Sequence, residues 1–403
     1  MDALTFLTYL AVILLIGILC TLVSQRFKIP NVLLLLLAGL LFTHLPLSGL
    51  QLTFPPIFLT SIAILALVMI VFDAASRFEI KEFGELSIYA LKLAVVFLFL
   101  NMFILTAFSM LIFNINSVFL ALVFAFLMSG TDPATVMVTF KGLKNKVVEL
   151  LEVESLLNTP LIILLPFLIL DIISELGTQG ITFSRLLDQL IIFLPDFFLR
   201  FVAGIGSGVL VGLIVLRIMR KDYSEILSPL ALITAALLTY ILAENLGGNG
   251  VLAITTLGLM FGNIYVKEKL HLFEFSSMFA NSLEILVFFL VGLIIEIPFT
   301  GEFFLKSISL FIIYLIIRLS AIHISFYKLD YTFKEKIFMA LNVQKGIAVA
   351  VVAFTLTTLD IPGIDIILNL TIAFMLYSIL LATFVDGVSY KFLRLKPVSG
   401  AKK

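Results

Sequence analysis

Long apolar runs separated by short polar stretches repeat along the chain, from residue 3 to about residue 390. A helix of about 20 apolar residues crosses the hydrocarbon core of a bilayer. The runs are apolar on all sides and do not alternate every second residue, which favours membrane helices over the strands of a β-barrel. We predict thirteen spans, at approximately residues 3–24, 29–45, 56–73, 86–113, 116–140, 147–174, 190–216, 226–244, 249–265, 273–295, 303–327, 336–358 and 365–390.

The composition agrees with an all-α membrane protein. Hydrophobic residues make up 62% of the chain and charged residues 13%, and the mean hydropathy of +1.21 is far above that of soluble domains. We therefore predict one polytopic membrane domain over residues 1–403. The first run lacks the basic segment and cleavage site of a signal peptide, so we expect a retained helix. The single cysteine, Cys20, excludes a disulfide framework, and zero net charge argues against a nucleic-acid partner.

Basic residues divide unevenly between the loops. Twenty of the 26 Lys and Arg residues lie in alternate loops and in the tail at 391–403, whereas only Arg185 and Lys306 lie in loops on the other side. Cytoplasmic loops carry the excess of Lys and Arg in membrane proteins. We therefore predict that the N-terminus lies outside and that the C-terminal tail lies in the cytoplasm. This arrangement requires an odd number of spans.

Polar residues in four of the spans fall at a similar depth. Counted from the nearest cytoplasmic Lys at about 1.5 Å per residue, Asp132, Arg318 and Lys345 lie roughly 14 to 15 Å deep, and Asn158 lies roughly 18 Å deep. A charge at that depth needs a partner or a water-filled cavity. We interpret the four residues as parts of one functional site. A structural ion pair that holds helices together is the alternative.

Helix-breaking residues accompany two of these positions. The fifth span reads SGTDPAT, with Gly130 and Pro133 beside Asp132, and the twelfth reads NVQKGIA, with Gly346 beside Lys345. Irregular backbone at membrane depth is tolerated only where it is buried in protein or lines a cavity. The sequence therefore predicts that Asp132 holds a cation or a proton halfway across the membrane.

The two breaks occupy matching positions if the chain contains two repeats of opposite orientation. We predict a first repeat at about 3–174, a linking helix at about 190–216 and a second repeat at about 226–390. The broken spans are then the fifth member of each repeat. Interrupted helices at matching positions of inverted repeats are typical of the midplane site of a secondary transporter.

Several stretches at and around these positions carry a resemblance to a known family. They are TDPATV at 131–136, ESLLNTP at 154–160, AENLGGNGVLAITTLGLMFGN at 243–263, NS at 281–282, Arg318, and NVQKG at 342–346. With them the chain resembles, over nearly its whole length, the sodium/proton antiporters of the cation:proton antiporter superfamily, most closely their NhaP-like prokaryotic branch. The resemblance implies thirteen spans with two crossing broken helices, and a core domain that moves against a dimerisation domain. It also implies a homodimer in the cell membrane that exchanges Na⁺ or another monovalent cation for H⁺.

The resemblance also assigns roles to individual residues. The ion-binding or proton-coupling residues are predicted to be Asp132, Thr131, Asn158, Thr159 and Ser155. Glu154 and Arg318 are predicted to form a structural ion pair between the sixth and eleventh spans. Lys345 stands in the second broken helix where an arginine is usual. No cofactor and no metal other than the transported cation is implied.

One departure from the family pattern concerns the motif after Glu-Ser. The family has Asn-Asp there, whereas this chain has Asn158-Thr159. The missing aspartate is the residue expected to bind cation and proton in turn. Threonine offers a hydroxyl and a carbonyl oxygen but does not release a proton near neutral pH. The remaining acids are Asp132, Glu154 and an extra acid in the tenth span, Glu284. We expect Asp73, near the end of the third span, to be solvated or to cap its helix.

Two other classes of function remain open at this point. A transport-dead or regulatory homologue would have lost ion binding together with the aspartate. An intramembrane aspartyl protease would need two acids on facing helices, for which Asp132 and Glu154 are the candidates. Arg318 and Lys345 would hold both acids ionised, whereas such a dyad needs one of them protonated. We therefore predict a secondary active transporter and not an enzyme.

Overall fold

The structure is a computed structural model of the chain. It describes residues 3–27, 30–44, 54–78, 85–132, 143–176, 183–220, 224–294, 297–298, 300–327, 329–389, 392–393 and 396–397. Within these ranges the chain is helical apart from short connections and two strands of two residues each.

The helices follow one another along the chain as α1 (Ala3–Phe27), α2 (Asn31–His44), α3 (Pro56–Ser76), α4 (Glu85–Leu100), α5 (Thr106–Phe113), α6 (Val118–Ser129), α7 (Lys146–Leu176), α8 (Phe183–Met219), α9 (Leu227–Asn245), α10 (Gly250–Asn263), α11 (Lys269–Ile294), α12 (Gly301–Ser325), α13 (Phe333–Leu341), α14 (Ile347–Thr357) and α15 (Ile364–Gly387). A π-helical turn, Asn101–Leu105, joins α4 to α5.

The prediction of thirteen spans is confirmed. Nine described helices or continuous helical segments are long and apolar enough to cross a membrane, and four shorter apolar helices lie at the remaining predicted spans. The fourth span consists of α4, the π-helical turn and α5, and the twelfth of α13 and α14. Many large apolar side chains on the outer helices are exposed, as expected for a surface in contact with lipid.

Two spans are interrupted, as predicted. Helix α6 ends at Ser129, and residues 130–132 continue without helical structure; Pro133 lies outside the described residues. The second interruption comprises residues 342–346, between α13 and α14. The two interruptions cross, because the backbone N–H of Asp132 donates to the carbonyl oxygen of Gln344 at 2.9 Å.

Small residues allow close approach of the helix backbones around this crossing. A Cβ at Gly39 in α2 would overlap the backbone of α11 at Phe289, and a Cβ at Gly292 in α11 would overlap the backbone of α2 at Leu36. Small residues at such contacts are typical of membrane helices, which associate by close packing because lipid is as apolar as their side chains. The contact fixes α11 against α2.

A short β-bridge joins two distant parts of the chain. Strand β1, Leu143–Lys144, pairs antiparallel with strand β2, Lys396–Pro397. The loop before α7 and the segment after α15 therefore lie on the same face of the molecule, as the predicted topology requires.

Candidate ion-binding site

The crossing of the two interrupted helices brings Asp132 to the start of α14. The carboxylate of Asp132 lies so close to Gly346 that a Cβ at that position would overlap it. Gly346 is the N-cap of α14. The N-terminal end of a helix carries a partial positive charge that favours a carboxylate. The interruption in the twelfth span therefore both leaves room for Asp132 and stabilises its negative charge.

Lys345 lies at the C-terminal end of a helix, α6, and satisfies carbonyl oxygens there. Its side chain is buried, and its Nζ donates to the carbonyl oxygens of Met128, at 2.7 Å, and Gly130, at the C-terminal end of α6. A third bond goes to the Tyr314 hydroxyl in α12, at 2.5 Å. The three N–H donors of an ammonium thus find three acceptors. Lys345 closes the end of the first interrupted helix and does not point into the cavity that Asp132 faces.

Glu154 in α7 and Arg318 in α12 form the ion pair that the sequence predicted. Nη1 and Nη2 of Arg318 donate to Oε1 and Oε2 of Glu154 at 2.5 and 2.7 Å. Both side chains are completely buried, and the guanidinium lies 4.8 Å from the centre of the Phe97 ring. Because both carboxylate oxygens accept from Arg318, Glu154 is engaged in a fixed pair. It does not line the cavity with Asp132, which argues against the aspartyl protease alternative.

Amide side chains support the first interruption from two sides. Nδ2 of Asn158 in α7 donates to Oγ1 of Thr131 at 3.0 Å. Nδ2 of Asn101 donates to Oγ of Ser129 at 3.1 Å. Asn101 opens the π-helical turn between α4 and α5; π-helical turns of this kind are frequent at functional sites. Thr131 and Ser129, on either side of Gly130, are thereby held by neighbouring helices.

Beside Asp132 lies a cavity of about 280 Å³, which we call the inner cavity. It lies between α3, α7, α11, the start of α14 and the interruption after α6. Its polar lining side chains are Asp73, Arg77, Thr131, Asp132, Ser155, Thr159, Asn281 and Glu284. Five residues predicted for the site from sequence therefore meet around one space, and Asn158 touches it through Thr131. The hydroxyl of Thr159 donates to the carbonyl oxygen of Ser155 at 2.7 Å, which leaves its lone pairs as acceptors for a cation.

The expectation for Asp73 was wrong. Asp73 is 8% exposed and lines the inner cavity. Its Oδ2 accepts from Nε of Arg77 at 3.0 Å, and its Oδ1 accepts from Oγ of Ser277 at 2.9 Å. Helix α3 runs to Ser76, three residues beyond the predicted end of its span, so that Asp73 lies inside the helix and faces α11.

A wider cavity of about 730 Å³ lies next to the inner one, and both are lined by Arg77 and Asn281. The wider cavity opens where α3 ends and α11 begins, at the face that the distribution of Lys and Arg predicts to be cytoplasmic. The hydrogen bonds between Asp73, Arg77 and Ser277 lie where the two cavities meet. The two cavities therefore lie next to each other between that face and Asp132.

The longest motif of the family resemblance has a structural role here. Helix α9 ends at Asn245, Gly247 adopts a positive φ of 69°, and the side chain of Asn249 caps α10 by accepting from the N–H of Leu252 at 2.9 Å. Oε1 of Glu244 accepts from the N–H of Gly250 at 2.9 Å. The stretch AENLGGNG thus forms the turn between two helices, and none of its residues lines the inner cavity.

Comparison with known proteins agrees with this architecture. The chain is 22% identical over 392 residues to the K(+)/H(+) antiporter NhaP of Alkalimonas amylolytica, with 96% of this chain and 66% of that protein covered. It is 27% identical over 419 residues to the Na(+)/H(+) antiporter NhaH of Halobacillus aidingensis, with 97% and 96% covered. The chain spans 51–66% of the length of four curated relatives that it matches.

A solved structure has the same fold. The sodium proton antiporter MjNhaP1 from Methanocaldococcus jannaschii at pH 8 superimposes with a TM-score of 0.75 at 20% identity, with 96% of this chain and 98% of that chain covered. Residues 10–393 match the family described as sodium/hydrogen exchanger, transmembrane. That family consists of membrane transporters, not enzymes. Because the match extends over nearly the whole chain, the protein belongs to the transmembrane sodium/hydrogen exchanger family.

Proposed function

We propose that the protein exchanges a monovalent cation, Na⁺ in the first place, for H⁺ across the membrane by alternating access. The observation that carries the proposal is the position of Asp132. Its carboxylate lies at the crossing of two interrupted helices and faces a cavity that adjoins a wider cavity at one side of the molecule. A carboxylate in that position can hold a cation or a proton, and either one excludes the other.

The oxygens around Asp132 suit a dehydrated alkali cation. Thr131, Ser155 and Thr159 line the same cavity and offer hydroxyl oxygens, while Asn158 orients Thr131 through its amide. Hard cations of this kind prefer oxygen ligands. The names of the relatives support both Na⁺ and K⁺ as substrates, because antiporters of both kinds are among them.

Exchange through one carboxylate makes cation and proton competitors. In the alternating-access scheme, a cation or a proton reaches Asp132 through the inner cavity, from the predicted cytoplasmic face, in the conformation described here. A movement of the domains then exposes the same carboxylate to the other face. Below the pKa of the working carboxylate, the apparent affinity for the cation falls about tenfold per pH unit, because the proton occupies the site.

The test is transport by the purified protein in liposomes with an imposed pH gradient. Internal pH is followed while Na⁺, Li⁺ and K⁺ are added in turn, with choline as the control cation. A change of internal pH that depends on a particular cation identifies the substrate. The absence of a response to all three cations would contradict the proposal.

A transport-dead homologue is the second candidate, favoured by the hydroxyl of Thr159 at the position of the family aspartate. The variant Thr159→Asp separates the two. In an active transporter it adds a further titrating group to the cavity and changes the pH profile of exchange. If it creates exchange where the native chain shows none, the native chain is a transport-dead homologue.

The orientation and assembly in the membrane are part of the proposal. We place the N-terminus outside and the C-terminus in the cytoplasm of a cell-membrane protein that forms a homodimer. Single cysteines at Lys144 and Thr300, in a background in which Cys20 is replaced by Ser, test the orientation with an impermeant thiol reagent. Labelling of position 144 from outside would overturn it.

A further inference from the structure

The inner cavity contains an acid that the family pattern does not predict. The motif position next to Asn158 carries Thr159, whose side chain lines the cavity but has no carboxylate. On the α11 side of the same cavity lies Glu284. A cavity that lacks its second carboxylate on one helix has thus gained a carboxylate on another.

Glu284 belongs to the face of α11 that lines the cavity. Ala280 and Asn281, four and three residues earlier, line the same space, as residues at this spacing on one helix face do. Further along α11, Gly292 lies in close contact with the backbone of α2. Glu284 therefore belongs to a long helix, Lys269–Ile294, that is packed closely against α2.

The surroundings of Glu284 differ from those of the other acids inside the molecule. Glu154 is engaged by Arg318, and Asp73 is engaged by Arg77 and Ser277. Within the described part of the chain, no hydrogen bond or ion pair to the carboxylate of Glu284 is present. The carboxylate of Asp132 belongs to the lining of the same cavity. An acid within a membrane-spanning helix, without a fixed partner, needs a mobile counter-ion or a proton.

We propose that Glu284 replaces the missing aspartate as the second carboxylate of the ion site, so that the transported cation is held between Asp132 and Glu284. The inference rests on the function proposed above. Two ionised carboxylates facing one cavity repel each other, and a cation or a proton between them relieves the repulsion. Binding of the cation displaces the proton that the pair held, which returns to solution through the cavity.

The experiment compares Glu284→Gln with the native protein and with the double variant Thr159→Asp/Glu284→Gln. Glutamine keeps the size of the side chain and removes its charge. Glu302→Gln is the matched control, because Glu302 is an exposed acid in a surface pair with Lys306. Two quantities are measured for each variant: the Na⁺ concentration at half-maximal exchange in liposomes, and the rise of the unfolding temperature in detergent as NaCl replaces choline chloride.

We expect Glu284→Gln to raise the half-maximal Na⁺ concentration about tenfold or more, because a negative charge beside the cation is lost in surroundings that screen it weakly. The stabilisation by Na⁺ should weaken in parallel. The double variant should recover most of the loss, because it returns a carboxylate to the same cavity at position 159. Glu302→Gln should behave as the native protein does. Glu284→Asp, which retains the charge, should keep exchange and decides the question if Glu284→Gln does not fold.

The outcomes separate this inference from the proposed function. If Glu284→Gln has native affinity while Asp132→Asn has no exchange, the second carboxylate is not Glu284 and only the inference fails. If Glu284→Gln is folded and impaired but Thr159→Asp does not restore it, Glu284 does not replace the missing aspartate. If the native protein shows neither exchange nor stabilisation by Na⁺, Li⁺ or K⁺, the proposed function fails as well.

Discussion

Glu154 and Asp132 are acids in neighbouring membrane-spanning segments, yet the structure gives them opposite surroundings. Glu154 is completely buried, and each of its oxygens accepts from Arg318. Asp132 is partly exposed to a cavity that holds hydroxyl groups and another acid. A charge bound by a fixed partner contributes to stability, whereas a charge that faces a cavity large enough for water can exchange one bound partner for another. Substitutions at the two positions should therefore separate stability from transport.

The largest expected effect is on transport, at Asp132. Asp132→Asn keeps the size of the side chain and removes the charge that, in the proposed function, holds cation and proton in turn. Cation-dependent change of internal pH in liposomes should fall to that of empty liposomes, while the unfolding temperature stays close to the native value. Glu302→Gln is the control. Native exchange by Asp132→Asn would mean that another acid does the work.

The second effect, on stability, concerns Glu154 and Arg318. Removing one partner of a buried pair leaves an uncompensated charge and should lower the free energy of unfolding by about 3 to 5 kcal/mol. Glu154→Ala/Arg318→Ala should lose less than the sum of the single variants. Thermal unfolding in detergent measures all three. Simply additive losses would contradict the direct contact.

A smaller effect is expected at Lys345, whose ammonium satisfies the carbonyl oxygens of Met128 and Gly130. Lys345→Met keeps the length of the side chain but leaves both carbonyls without this donor, which should destabilise by about 1 to 3 kcal/mol. Lys345→Arg keeps donors at the helix end and should lose less. The comparison again uses unfolding in detergent. Equal stability of Lys345→Met and the native protein would show that Lys345 does not stabilise the end of α6.

The smallest effect on stability is expected for the ion pair of Asp73 and Arg77, which is more exposed than the pair of Glu154 and Arg318. The Arg77 side chain is 50% exposed, and a partly solvated pair of this kind contributes about 1 kcal/mol or less. Arg77→Ala should therefore lower stability only slightly, and the loss should shrink further at high salt. Unfolding at low and high NaCl or choline chloride checks this. A loss as large as that of Arg318→Ala would place Arg77 among the structural pairs.

The spans, the two interruptions and the polar residues beside them could be predicted from sequence because each depends on local composition. Apolar length predicts a helix across the bilayer, and Gly or Pro within it predicts a break. Tyr314 was not predicted to belong to the site, although the sequence contained a signal for it. It lies four residues before Arg318 and therefore on the same helix face. Tyr314 accepts from Lys345.

Glu284 was a candidate acid from sequence, but the positions of Asp73 and Glu284 beside Asp132 could not be predicted from it. Counting residues gives the distance along a helix axis. When the helix is tilted, this distance differs from the depth in the membrane. Counted from Lys269 at about 1.5 Å per residue, Glu284 would lie roughly 22 Å deep, against roughly 14 Å for Asp132, whereas both line the inner cavity. Which side of α11 faces that cavity depends on its contact with α2 at Gly39 and Gly292, and such a contact between distant parts of the chain leaves no local pattern.

Lys345 has a consequence for the chemistry of the whole crossing. Its ammonium occupies backbone carbonyls at the end of α6, the type of ligand that an alkali ion would also take. The side chain of Lys345 thus already occupies these oxygens, so that they are not available to Na⁺ or K⁺ from solution. In the proposed function, mobile ions bind instead to the oxygens around Asp132. On that proposal, a side chain that already fills one set of oxygens at the crossing restricts where a mobile cation can bind, before any selection for ion size.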